Sequence, residues 1–133
     1  MSHVREAMLR EPLALDAKAS AREAGEHLAA PDVRAVLVSD DGRLVGVVTR
    51  KTLVREVVAA GRDPRTTPLG EIAEPPIFTL QADMDLDDAY RELENRDLER
   101  VPVVDGERLV GVVARVVLQR RLAEDEPTGD ERG

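Results

Sequence analysis

A chain of 133 residues with net charge −8, 42% hydrophobic and 35% charged residues suits one compact unit or two intimate halves sharing a core. Its acidic balance excludes nucleic acid as a partner, and Tyr90 and Phe78, its only rings, all but exclude base stacking on aromatic platforms. Without cysteine there are no disulfides or thiolate metal sites; without a long apolar run or a signal-like N-terminus, the expected location is cytoplasmic, with no membrane contact.

In chain order, Ser2 is placed to cap a short helix running to about Leu9, and Leu13–Leu15 reads as an extended segment. Ser20-Ala21-Arg22-Glu23 fits a capping box, after which Ala21, Ala24, Gly25, Leu28 and Ala29 share one face of an amphipathic helix. Ala35–Val38 and Leu44–Val48 flank Asp40-Asp41-Gly42, a hairpin signal. A helix over Arg50–Ala60 is stopped by Gly61, and Gly61–Thr66 links to a second run of the same order. There Thr67 precedes Pro68, a favourable first helical residue, and Ile77–Leu80 is extended. A helix starting at Asp85 turns Leu86, Ala89, Tyr90 and Leu93 inward. Val101–Val104 and Leu109–Val113 then flank Asp105-Gly106, and a last helix runs from Arg115 to about Leu122. The strand runs are nearly all apolar. That predicts helices over both sheet faces and burial of Val36, Val38, Val45, Val47, Val101, Val103, Val110 and Val112.

The two runs are one text written twice. Arg43–Leu53 reads RLVGVVTRKTL and Arg108–Leu118 reads RLVGVVARVVL; the same offset, without a gap, lays Ser2–Leu53 over Thr67–Leu118. Identities recur at Leu15/Leu80, Ala24/Ala89, Leu28/Leu93 and Asp40/Asp105. The period is longer than that of solenoid repeats and marks a duplicated small fold. The expected division is a first repeat over 1–61, a linker over 62–66, a second repeat over 67–122 and a disordered acidic tail over 123–133.

With helix, short strand, helix, hairpin and helix in each half, the chain resembles a tandem pair of cystathionine-β-synthase (CBS) domains. The carrying residues are VLVSDDGRLVGVVT at Val36–Thr49 and VPVVDGERLVGVV at Val101–Val113, and the resemblance covers Ser2 to about Leu122. It implies an α+β fold of two β-α-β-β-α repeats with pseudo-twofold symmetry. It also implies a stand-alone regulatory module, not an enzyme. Such a module senses an adenosine-containing ligand (AMP, ADP, ATP, NAD or S-adenosylmethionine) and modulates a partner protein whose identity the sequence does not give. A homodimer is implied, as is an adenine nucleotide acting as regulatory ligand rather than required cofactor.

In that family, backbone groups of the short first strand and of the strand entering the hairpin hold the adenine. A G-h-x-T-x-x-D motif handles ribose and phosphate. Carried over by position, Leu13, Ala14, Arg34 and Val36 flank the base, Thr49 and Arg50 meet phosphate, and Thr52 stands where the ribose-binding Asp is expected. The second copy loses both polar positions to Ala114 and Val117, leaving Arg100, just before Val101-Pro102, as its phosphate candidate.

Each residue has a plainer reading. Thr49 is a good N-cap for the next helix in any case. Arg50 and Lys51 suit a solvated surface, and Arg100 suits an ion pair with Asp97 or Glu99. Asp83, Asp85, Asp87 and Asp88 fit a first helical turn better than a calcium loop, and His3 and His27 lack the companions that catalysis or zinc requires. Two readings therefore stand: a ligand-sensing module, and a ligand-independent dimerisation or interaction module with degenerate sites. Loss of both Asp positions favours the second; Thr49, Arg50, Lys51 and Arg100 favour the first. Val54, Val57, Val58, Val116 and Leu122 leave apolar surface that a twofold dimer would cover.

Overall fold

The computed structural model describes residues 2–10 and 12–125. The chain starts with a 3-10 turn, Val4–Glu6, followed by β1 (Leu9–Arg10), β2 (Ala14–Asp16), α1 (Ala21–Leu28), β3 (Val36–Asp40) and β4 (Arg43–Val48). Next comes α2 (Arg50–Leu53), continued by a π-helical stretch over Val54–Val58. The second half runs α3 (Leu69–Ile72), β5 (Leu80–Gln81), α4 (Leu86–Arg96), β6 (Arg100–Asp105), β7 (Arg108–Ala114) and α5 (Arg115–Asp125). Both hairpins turn where expected: Asp41, Gly42 and Gly106 take φ values of 54, 84 and 66, the left-handed region that Asp and Gly tolerate best.

Two compact units result, and neither is one repeat. The first holds residues 12–77 with 107–109; the second holds 2–10, 78–106 and 110–125. Each repeat's leading segment packs on the body of the other repeat, through equivalent bonds. In the second unit Val4 N–H donates to Met84 O (2.9 Å), Arg5 N–H to Ala82 O (2.9 Å) and Leu86 N–H to Ser2 O (3.0 Å). In the first unit Leu69 N–H donates to Ala19 O, Gly70 N–H to Ala17 O and Ala21 N–H to Thr67 O, each at 2.8 Å. Further along, Leu9 lies opposite Val112 in one unit and Glu74 bridges Val47 in the other.

In the first unit β2 pairs in parallel with β3, and β3 in antiparallel with β4. Its core gathers Ala21, Ala24, Leu28, Val36, Val38 and Val48 with Leu69 and Ile72 from the other repeat's leading segment. In the second unit β5 pairs in parallel with β6, which neighbours β7. There Leu80, Leu86, Leu93, Val103, Val113 and Leu118 close around Val4. Val4, Leu69 and most of these aliphatic side chains are fully buried, the condition under which apolar burial contributes about 1.5–3 kcal/mol per large side chain.

Several expectations need correction. Val36, Val38, Val101 and Val103 are buried, but Val45 is 46% exposed and Val47, Val110 and Val112 are only half-buried. The inward positions of the return strands are Gly46 and Val48, and Gly111 and Val113. A Cβ on Gly46 would meet Glu74 O at 2.7 Å and Ala73 Cβ at 2.9 Å; one on Gly111 would meet Leu9 O and Met8 Sδ, both at 2.7 Å. The crossing segments thus set which parity faces in, and a bulge at Val38/Ser39 shifts the register further. The N-cap of the 3-10 turn is His3 rather than Ser2, and Pro68 is the N-cap of α3 rather than its first helical residue. Backbone bonds to the other repeat hold these segments, so capping does not decide their ends. Ala29 is exposed at the C-cap of α1. Helix α5 extends to Asp125, past Leu122, and the rest of the expected tail lies outside the described residues.

Candidate functional site

The parallel pair β2–β3 sets one end of the first unit. Ala14 lies opposite Leu37, whose N–H donates to Leu13 O at 3.2 Å. Val36 lies opposite Val48, so the chain leaving β4 at Thr49 faces the lead-in to β3. Leu13, Ala14, Arg34, Val36, Thr49, Arg50 and Thr52 are thereby gathered in one unit. Val36 is wholly buried, Ala14 half-buried, and Leu13 and Arg34 exposed.

Thr49 caps α2 through a complete capping box. Thr52 N–H donates to Thr49 Oγ1 (3.3 Å), Thr49 N–H donates to Thr52 Oγ1 (3.0 Å), and the two hydroxyls are 3.1 Å apart. Thr52 is completely buried, so the residue at the expected carboxylate position turns back onto its own helix. Hydroxyls carry one donor and two acceptor sites. Either hydroxyl can donate to the other; with the Thr52 O–H donating to Thr49 Oγ1, the Thr49 O–H is left for an incoming acceptor.

Arg50 does not stand free. Its Nη2 donates to Ala30 O (2.9 Å) and Val33 O (2.8 Å), tying the loop after α1 to the start of α2. Arg34 and Lys51 are exposed, and neither side chain makes a hydrogen bond or ion pair among the described residues.

Arg100 belongs to the second unit and opens β6. It is exposed and does not make the expected ion pair. Asp97 and Glu99 are taken instead by Arg115, at 3.5 and 2.5 Å, and the Arg115 N–H donates to Glu99 O at 2.8 Å. Arg115 went unnoticed in the sequence, although the repeat offset pairs it with Arg50. Both arginines tie the loop before the hairpin to the following helix, one through carbonyls and one through carboxylates. Asp97, a left-handed C-cap at φ 56, brings its carboxylate to that position. Phe78, the counterpart of Leu13, lies under the Arg96 guanidinium at 4.0 Å, and the acids opening α4 are engaged by Arg91, which reaches Asp87 at 2.8 Å and Asp88 at 3.6 Å.

Away from Thr49, α1 and the α2 region enclose an open apolar groove of about 470 Å³ walled by Ala21, Gly25, Leu53 and Val57. Val54, Val58 and Val116 are exposed as expected, whereas Val57 is buried and Leu122 half-buried. Among the described residues no helix is long and apolar enough to cross a membrane.

The CBS domain family model matches twice, over residues 4–59 and 69–123. Hypoxic response protein 1 of Mycobacterium tuberculosis is 33% identical over 102 residues, 76% of this chain and 71% of the relative. The CBS domain-containing protein YhcV of Bacillus subtilis is 29% identical, covering 86% of this chain and 81% of its own. Among solved structures, hypoxic response protein I with two coordinated zinc ions superposes with a TM-score of 0.75 at 28% identity, covering 91% of this chain and 99% of that one. CBSX2 in complex with AMP gives 0.71 at 24% identity, covering 93% and 98%. Among the described residues no group of three or more His, Asp or Glu is placed to hold a metal ion. Two family matches, a shared element order and two hybrid units built by equivalent bonds lead to one conclusion: the chain belongs to the CBS domain family and carries the domain in tandem.

Proposed function

We propose that this CBS pair is a non-catalytic regulatory module of the cytoplasm that binds an adenosine-containing ligand in its first unit and passes the signal to a partner protein. The observation that carries the reading is the half-buried Thr49 hydroxyl at the start of α2, which keeps its hydrogen for a ligand when Thr52 is the donor of the contact between the two hydroxyls. It lies at the same end of the unit as the starts of β2 and β3, where the exposed Leu13 and half-buried Ala14 offer a flank and backbone groups for a base, while Val36 is wholly buried. CBSX2, a likeness of fold alone, holds AMP. Arg50 acts on this reading by fixing the loop before β3, and Thr52 supports Thr49 rather than gripping ribose. Without a carboxylate for the ribose diol, affinity is modest and discrimination against deoxyribose poor, since charge-assisted bonds are roughly twice as strong as neutral ones. The test is a thermal-shift screen with AMP, ADP, ATP, NAD and S-adenosylmethionine. A ligand at about 100 times its dissociation constant adds about 2.7 kcal/mol and raises the melting temperature visibly. No shift with any of them at millimolar concentration overturns the reading.

A second reading has its own support. The inward-turned Thr52, the apolar Ala114 and Val117, and the exposed Val54, Val58 and Val116 suit a dimerisation module that needs no ligand. A homodimer is common to both readings, and only ligand-dependent stabilisation separates them.

A further inference from the structure

We infer that the groove between α1 and the π-helical stretch is a self-recognition surface, in which Val58 of one copy enters the hollow over Gly25 of a second copy across a twofold axis. This rests on the homodimer common to both readings above and goes beyond it by naming the contact that makes it. Gly25 lies inside α1 and does not take a left-handed conformation. A Cβ built on it would meet only Leu53 Cδ1, at 3.7 Å, an ordinary contact. Glycine within a helix is less stable than alanine, and nothing in its own unit calls for one here. The hollow it leaves belongs to the groove of about 470 Å³ floored by Ala21, Leu53 and Val57. On the same helix Val54 and Val58 are 55% and 72% exposed, and Val58 itself lines the groove. Both lie in the π-helical stretch, where Ala59 N–H donates to Val54 O at 2.8 Å, a departure from α geometry that is frequent at functional sites.

The other repeat lacks every part of this arrangement. At the same offset Tyr90 stands for Gly25 and packs against the core of its own unit. Gln119 stands for Val54 and Ala123 for Val58, on a helix that stays α-helical throughout. Hole and knob therefore occur together on the first unit and are both missing from the second. A twofold contact requires that pairing, because each copy must offer the projecting residue and the receiving one. The rim fits as well. Arg22 and Glu26 border the groove 3.6 Å apart, both more than half exposed, so across a twofold each can meet the opposite charge of the second copy. Arg62, the third charge at the rim, is held by Glu71. Other occupants suit the groove less. A small ligand needs a few converging polar groups, and the floor between the rim charges is aliphatic. Residues 126–133, EPTGDERG, hold no large apolar side chain that could fill it.

The chain has no cysteine, so introduced ones report contacts without background. The experiment mixes full chains carrying Gly25→Cys with full chains carrying Val58→Cys, oxidises them, and repeats this with Val116→Cys in place of Val58→Cys. Light scattering over a concentration series gives the dimer dissociation constant of the wild type, Gly25→Tyr and Tyr90→Ala. A crosslink between positions 25 and 58 of different copies is expected, with little between 25 and 116. Gly25→Tyr, which imports the second unit's residue where a side chain has room, is expected to weaken the dimer at least about tenfold while the chain stays folded by circular dichroism. Tyr90→Ala is expected to leave the dimer constant unchanged. A dimer that lacks the 25–58 crosslink, crosslinks 25 to 116 instead, or tolerates Gly25→Tyr overturns this assignment and leaves the homodimer standing. The crosslink decides the matter if Gly25→Tyr fails to fold. A wild-type monomer at every concentration overturns both.

Discussion

At the scale of single residues, the Thr49–Thr52 pair caps α2 and, on the proposed reading, also serves recognition. Thr49→Val removes the cap acceptor and is expected to cost about 1 kcal/mol in urea unfolding while leaving the protein folded. Thr52→Val leaves the half-buried Thr49 N–H without its partner and is expected to cost about 1–3 kcal/mol. Gly46→Ala forces a methyl against the carbonyl of Glu74 and is expected to destabilise by about 1–3 kcal/mol, with Gly111→Ala close behind. Val45→Ala, at an exposed position, is expected to change stability by about 0.5 kcal/mol or less. A larger loss at Val45 than at Gly46 would reverse the assigned strand parity. These residues also mark how far the sequence reads. The cap at Thr49 was legible because capping is local, and so were the Asp-Gly turns. The parity of β4 and β7 was not, because unbroken valine runs carry no period, and the segments crossing Gly46 and Gly111 come from the other repeat. The ion pairs of Arg115 were missed for a similar reason, since they depend on a left-handed turn at Asp97 that places its carboxylate.

Among the elements, the leading segments matter more than their length suggests. Val4 sits wholly buried among side chains of the second repeat, and Leu69 among those of the first. Leu69→Ala is expected to cost about 2–5 kcal/mol and Val4→Ala somewhat less. Hydrogen exchange resolved by residue should show Val4→Ala loosening the body from Leu80 to Leu118, outside its own repeat. Loosening confined to the first repeat's body would contradict the exchange of segments. Element order was plain in the sequence, whereas the exchange was not, because a duplicated text does not say which copy its leading segment joins. The connection between the repeats is itself ordered by Asp63, whose Oδ1 accepts from Arg65 N–H at 2.9 Å and whose carbonyl accepts from Thr67 Oγ1 at 2.7 Å. The Arg65 backbone bond, helped by the Arg65 guanidinium, holds the Asp63 carboxyl below its ordinary range. A depressed folded value means that the contribution is present above the unfolded carboxylate pKa of about 3.9 and is lost as pH falls through the lower folded value. The Arg65 amide resonance should therefore shift below about pH 4 in the wild type and stay still in Asp63→Asn.

For the whole molecule, the exposed Val54, Val58 and Val116 predict self-association. Light scattering at micromolar concentration should give about twice the 14.6 kDa chain mass, and Val58→Glu should return it towards that mass. A wild-type monomer would remove the dimer from both functional readings. The central claim is narrower: one adenosyl site, in the first unit, acting through Thr49. Its most direct measurement is calorimetric titration of the best nucleotide from the screen into the wild type, Thr49→Val and Arg100→Ala. The account predicts one site per chain, heat of binding abolished by Thr49→Val, and a dissociation constant unchanged by Arg100→Ala. Binding that survives Thr49→Val and vanishes with Arg100→Ala would move the working site to the second unit and contradict the account.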